Sequence, residues 1–185
     1  MFNNEDAEAG VKGYMTLAGD GHINSMCASG VCLIEGIGVE EADNKNGVKF
    51  LKEAIEKAEH PQALYELGVL HYTGGAEPVV EENHELAFRC FSKSAKLGKF
   101  SYSEYMIADM LLDNSLSESD AVKLDQNHGK AVNLLYESAE KGHRTARGVL
   151  LSILDNKHAL TKEVVDDNTT TLKRRKTREE VNAIR

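Results

Sequence analysis

Residues 63–98, ALYELGVLHYTGGAEPVVEENHELAFRCFSKSAKLG, decide the fold. Leu64, Leu67, Leu70 and His71 recur at helical spacing, and Gly74-Gly75 ends that run. Asn83 can cap a second helix, in which Leu86, Ala87, Cys90, Phe91, Ser94 and Ala95 recur at three and four residues. Small residues (Ala63, Gly68, Ala87, Ala95) stand where two such helices must touch. The stretch therefore reads as two amphipathic helices joined by a glycine turn.

The same pattern lies on either side. Asp43, Asn83 and Asn127 read as three caps, spaced 40 and 44 residues apart. Four residues after each stands Gly47, Ala87 or Ala131, and eleven further on come Ala58, Gly98 and Gly142. Gly10 and Gly21 share that spacing, so the helix predicted over Glu5–Gly19 reads as the second half of an earlier unit. First-type helices align through Ser25, Ala63, Ser103 and Ala146. Their predicted spans include His22–Ile34 and Thr145–Leu154, and a polar connection is expected from Asn114 to Gln126. A period of this size means stacked helix pairs, because one pair cannot bury its apolar face alone. Gly36 and Gly38 are read as turn residues with positive φ, and Gly98 and Gly142 as left-handed helix stops. The reading is all-α: an α-solenoid of stacked antiparallel helix pairs with a right-handed superhelix, about three full repeats plus partial flanking units. The repeat domain is assigned to residues 1–158. Residues 159–185, which lose the small-residue pattern, are read as a charged C-terminal capping helix or a flexible tail.

This register resembles the Sel-one-like repeat, a relative of the tetratricopeptide repeat. The second unit carries Ala63, Leu67, Gly68, His71 in a tyrosine place, Gly74, Asn83, Ala87, Cys90 in an aromatic place, Lys93, Ala95 and Gly98. The first keeps Gly30, Gly36, Gly38, Val39, Asp43, Phe50 and Ala54; the third keeps Ala131, Leu134, Ala139, Gly142 and His143. The resemblance spans roughly residues 10 to 155. It implies a helical-repeat fold whose shared residues are structural.

The totals narrow the function. The chain has 185 residues and a net charge of -8, with no tryptophan. An acidic body is a poor electrostatic match for nucleic acid or an anionic membrane. No apolar run approaches the ~20 residues of a membrane span, and the acidic start MFNNEDAEAG lacks the apolar core of a signal peptide. Three cysteines (Cys27, Cys32, Cys90) have no metal-like spacing, and a disulfide framework is not expected. The expected location is cytoplasmic. The basic run Lys173, Arg174, Arg175, Lys176 leaves a nuclear signal as a second reading.

Catalytic patterns are weak. The histidines form no H-E-x-x-H-type cluster, so no metal site is assigned. Cys90, with His84 nearby, sits on the apolar face and reads as an inert core thiol. Certain cysteine-rich relatives in the family have been linked to β-lactamase-like activity, with a cysteine pair in every repeat. That pair is missing here. The chain is therefore read as no enzyme, needing no cofactor.

The remaining candidate is the inner face. If the first helices line the concave side, their outward positions are Asn24, Cys27 and Val31, then Gln62, Tyr65, Val69 and Tyr72, then Tyr102, Tyr105 and Asp109. Tyrosine suits an interface because it offers large area, a hydroxyl and little entropy to lose. The sequence reading is a protein–protein interaction adaptor or scaffold. Its concave face, through Asn24, Gln62, Tyr65, Val69, Tyr72, Tyr102, Tyr105 and Asp109, would hold a partner peptide or helix, with basic partners favoured. Two alternatives stand beside it: a hydrolase-like enzyme on the same fold, and a structural segment of a larger solenoid assembly. An exposed apolar patch on the first or last helix would mark the latter.

Overall fold

A computed structural model describes residues 4–76, 78–98, 100–113 and 121–165. Among these residues eight helices follow in series: α1 (Asn4–Gly19), α2 (Ile23–Glu35), α3 (Asn44–Ala58), α4 (Pro61–Thr73), α5 (His84–Gly98), α6 (Ser101–Leu112), α7 (Ala121–Glu140) and α8 (Arg144–Val165). There is no strand among the described residues. The closest packing is within α2/α3, α4/α5 and α6/α7, and each hairpin then stacks on the next. This is the α-solenoid of antiparallel helix pairs. α1 packs on α2 and α8 on α7, as half-units at the two ends.

Register explains the core. Positions 25, 63, 103 and 146 are the third residues of α2, α4, α6 and α8, and all four are buried. On the second helices, Gly47, Ala87 and Ala131 are buried, and Leu51, Phe91 and Leu135 are completely so. At Gly68, an added Cβ would stand 2.7 Å from the Phe91 ring, so glycine is what lets α4 and α5 meet there. The core aromatic is thus Phe91. Cys90, which the sequence reading put in the aromatic place, is half-buried one position away, as Phe50 is beside Leu51. Burial of the Cys90 thiol raises its pKa, with Lys93 opposing this, so the thiol stays protonated near neutral pH.

Polar residues stitch the stack. Ser94 Oγ donates to the Pro61 carbonyl at 2.7 Å and accepts from Ser103 Oγ at 2.7 Å. One unit later, Ser138 Oγ donates to the Ser101 carbonyl at 2.7 Å. Each hydroxyl thus ties the second helix of a unit to the first residue of its own first helix. Ser94 is fully buried, whereas Ala95 is only half-buried, so the tight helix contact lies at Ser94 rather than at the predicted Ala95. Glu104 of α6, 5% exposed, pairs through Oε1 with Lys141 Nζ in the turn that follows α7.

The caps follow the sequence in part. Asp43 accepts from Asn46 N–H at 3.0 Å, and Asn83 from Leu86 N–H at 2.9 Å. Asn127 caps nothing: α7 already begins at Ala121, because AVKL is good helix-forming sequence that the polar run DQN only interrupts in composition. Gly36, Gly38, Gly74 and Gly142 have positive φ. Gly98 does not, and α5 runs through it; its lack of a side chain matters because a Cβ would meet the Pro61 ring at 2.8 Å. The last helix extends past the predicted Leu154 to Val165, across the 158/159 boundary. Lys173–Lys176 and the rest of 166–185 lie outside the described residues.

Candidate functional site

Three histidines begin first-type helices. His60 precedes α4, and its Nδ1 accepts the Ala63 N–H at 3.2 Å. His143 precedes α8, and its Nδ1 accepts the Ala146 N–H at 3.1 Å. His22 precedes α2 without a side-chain cap bond. Since His60 Nδ1 accepts, its Nε2 carries the proton and donates to Asn24 Oδ1 at 2.9 Å. Burial lowers the pKa of both His60 and His143, which preserves the neutral ring that a cap acceptor needs.

The candidate residues fall on α2, α4 and α6 unevenly. Cys27 is buried rather than outward, because its position is sealed by the first core between α1 and α4. Burial, with Glu66 adding to it, pushes its thiol up to about 12. Val31 packs on the same core. Asn24 and Gln62 are exposed, though Asn24 is engaged by His60. Val69 is half-buried against the second core.

Tyr65, Tyr102 and Tyr105 come together, whereas the ring of Tyr72 packs on His84 at 5.0 Å. Tyr65 lies 5.8 Å from Phe91, 5.3 Å from Phe100 and 6.0 Å from Tyr102, measured between ring centroids. Tyr102 meets His143 edge-on at 4.6 Å, and Tyr105 stacks on the same imidazole at 4.8 Å. One aromatic row therefore runs from the second unit to the cap of α8. Tyr65 and Tyr105 are half-buried within it, while Tyr102 stays 52% exposed. Such offset and edge-on pairs contribute about 0.5–1.5 kcal/mol each beyond burial. These side chains thus pack between units, and Tyr102 is the most exposed of the three.

Carboxylates flank the row. Tyr72 O–H donates to Asp113 Oδ2 at 3.0 Å. Burial, that bond and the nearby carboxylates push Tyr72 up to about 12, so it stays a neutral donor. Burial and then Asp113 raise the pKa of Asp109. Burial raises Glu66 too; a bond from Gln62 opposes this and Glu35 adds to it. Raised carboxylates in a half-buried setting are groups that a cation would relieve. The sequence reading missed Phe100, His143, Glu66 and Asp113. Two of these were within reach of helical spacing, since Glu66 follows Gln62, and Asp113 follows Asp109, by four residues.

Two shallow clefts flank these helices. Tyr102, Lys141, His143 and Arg144 line one; Phe88, Ile107, Leu134 and Glu137 line the other. Among the described residues no group of three His, Cys, Asp or Glu side chains could hold a metal, and no helix is long and apolar enough to cross a membrane.

The register of helix pairs matches a known family over most of the chain: the Sel1 repeat, at residues 23–58, 61–99 and 101–143. The chain belongs to the Sel1 repeat family. The three matches coincide with α2/α3, α4/α5 and α6/α7, and leave α1 and α8 outside. Sel1 repeats generally serve as protein–protein interaction scaffolds and are typically non-enzymatic. Among solved structures, a Sel1 repeat protein from Oxalobacter formigenes shares the fold with a TM-score of 0.65 at 22% identity; the match covers 78% of this chain and 54% of that one. A protective antigen present in uropathogenic Escherichia coli strains, displaying an SLR fold, aligns with a TM-score of 0.50 at 22% identity, over 80% of this chain and 37% of that one. This chain thus spans about half or less of those Sel1-type chains. No curated protein sequence matches it.

Proposed function

We propose that this Sel1-repeat solenoid is an adaptor that holds a basic peptide or helix along the α2–α4–α6 face. The observation that carries the reading is the aromatic row Tyr65–Tyr102–His143–Tyr105, continuous from the second repeat through the third and flanked by Glu66, Asp109 and Asp113. Tyrosine faces attract Lys and Arg side chains, and desolvated carboxylates beside them add charge complementarity. Gln62 and Asn24 supply polar contacts at the rim, and Val69 an apolar one between Tyr65 and Tyr72. The charge of -8 favours encounter with a basic partner at low salt.

The test is a peptide array of basic, neutral and acidic sequences, probed with the intact chain. The expected result is retention of basic peptides, weakened by salt and lost in a Tyr72→Ala/Tyr105→Ala variant. Tyr136→Ala is the control, since Tyr136 is an exposed tyrosine on the second-type helix α7. Equal loss in both variants, or no preference for basic peptides, would remove the reading.

A further inference from the structure

The turns that lead into the first-type helices differ in charge. Asp20-Gly21-His22 leads into α2, Ala58-Glu59-His60 into α4, and Lys141-Gly142-His143 into α8, which then starts with Arg144. The corner between α7 and α8 is the basic one of these three. His60 and His143 cap alike through Nδ1, so each carries its proton on Nε2. The His60 proton goes to Asn24 Oδ1 at 2.9 Å. In the register that aligns Ser25, Ala63, Ser103 and Ala146, the preceding residues are Asn24, Gln62, Tyr102 and Thr145. Tyr102 therefore takes the place of Asn24 beside His143, and the His143 Nε2–H has no acceptor among the described residues. This ring is only 8% exposed, and it lines the cleft that Tyr102, Lys141, Arg144 and Thr145 share.

More donors stand at the same cleft. The cap takes the Ala146 N–H, and the Arg147 N–H bonds the His143 carbonyl at 3.2 Å. The N–H groups of Arg144 and Thr145 are left without an acceptor among the described residues. α4 differs, since it starts with Pro61 and has no N–H there. The Arg144 and Thr145 side chains are exposed and make no bond among the described residues. Glu104 holds Lys141 at the rim, and its carboxylate does not line the cleft. Two cations against one carboxylate leave the corner positive, and the start of α8 adds the positive end of its dipole. Asn24, Gln62, Tyr102 and Thr145 are all exposed, so this side of the stack is open at internal units as well as here. We propose that the α7–α8 corner is an oxyanion site that takes the phosphate group of a small ligand. Its unpaired groups are all donors: His143 Nε2–H, two backbone N–H groups, the Thr145 hydroxyl and the Arg144 guanidinium. That set suits the three terminal oxygens of a phosphate better than the two of a carboxylate. The cleft, about 290 Å³, has room for an organic group beside the phosphate, with the exposed Tyr102 ring as its wall. The site needs no peptide on the tyrosine row and stands apart from the adaptor reading.

Amide and imidazole NMR spectra of the full chain test this, in titrations with inorganic phosphate and with phenyl phosphate at constant ionic strength near neutral pH. Saturable shifts are expected at His143 Nε2 and at the Arg144 and Thr145 N–H groups. None are expected at Gln62 and Ala63, because the His60 proton is already taken by Asn24. Tighter saturation by phenyl phosphate assigns the site to an organic monoester, and equal saturation assigns it to the free ion; either supports the oxyanion site. Arg144→Gln should weaken binding by about ten-fold or more, since it removes a charged donor. Lys130→Gln, which removes an exposed cation elsewhere on α7, should leave binding unchanged. His143→Asn keeps a neutral cap but loses the Nε2 donor, and should weaken binding as well. Circular dichroism checks that the variants fold, and Arg144→Gln alone decides if the His143→Asn melt changes. Three results overturn the proposal: shifts that grow without saturating, equal shifts at the start of α4, or Arg144→Gln binding no more weakly than Lys130→Gln.

Discussion

The stripe on α5 and the stripe on α1 share one register and have opposite surroundings. On α5, Ala87, Phe91 and Ser94 are completely buried beneath α4. On α1, Gly10, Tyr14 and Leu17 hold the same places and remain open. The difference lies in the neighbour rather than in the helix. A repeat helix carries its apolar face whether or not the next helix is there, so the same pattern means core in one place and exposed surface in another.

That contrast can be broken by truncation. Phe91→Ala is expected to cost about 3–5 kcal/mol, since a fully buried ring leaves a cavity between α4 and α5. Tyr14→Ala, measured on dilute protein, should stay within about 0.5 kcal/mol. Chemical denaturation of both variants checks the pair, and equal losses would mean that α1 is covered in solution.

Added bulk gives the second comparison. Gly68→Ala places a methyl 2.7 Å from the Phe91 ring and should cost about 1–3 kcal/mol. Gly13→Ala meets open space and should instead raise stability by about 0.5–1 kcal/mol through helix propensity. Melting curves for the two variants should move in opposite directions.

Smaller effects sharpen the account of the polar seams. Ser94→Ala removes a hydroxyl that bonds Pro61 and Ser103, for about 1 kcal/mol, with no steric conflict because the first unit has Ala54 in that register. Urea denaturation of Ser94→Ala and of Ser138→Ala should show similar losses, since Ser138 makes the equivalent bond to Ser101.

The histidine caps predict a pH dependence. Both His60 and His143 have folded pKa values below the ordinary 6.5, so the unfolded chain binds their protons more readily. Stability is then fully present above pH 6.5 and is lost as pH falls below it toward the lowered folded values. Asp109 and Glu66 have raised values, so their effect has the opposite sign and extends upward from the ordinary carboxylate range. Melting temperatures between pH 7.5 and 5.5 should therefore fall. A His60→Asn/His143→Asn variant, in which asparagine keeps a neutral cap, should flatten that fall.

Much of this was legible in one dimension. The spacing of Asp43, Asn83 and the small residues located the hairpins, because caps and close helix contacts tolerate few residue types. Asn127 misled because a good cap residue within a helix is indistinguishable by type alone. Tyr65, Tyr72, Tyr102 and Tyr105 were singled out by their helical face, and three of them meet in one aromatic row. His143 was seen only as a turn residue, since nothing local says that the cap of α8 lies between two tyrosines of α6. Cys27 was placed on that face too, and only the packing of α1 and α4 buries it.

What the sequence by itself determined is the repeat: its period, its hairpins and which face of each helix is apolar. These depend on local spacing, which the chain repeats within every unit. What only the tertiary structure decided is how each apolar face is used. Burial of Phe91, exposure of Tyr14 and Leu151, and the meeting of Tyr65 with Tyr102 are set by neighbours in space, and positions with one register share no common neighbour at the ends of a stack.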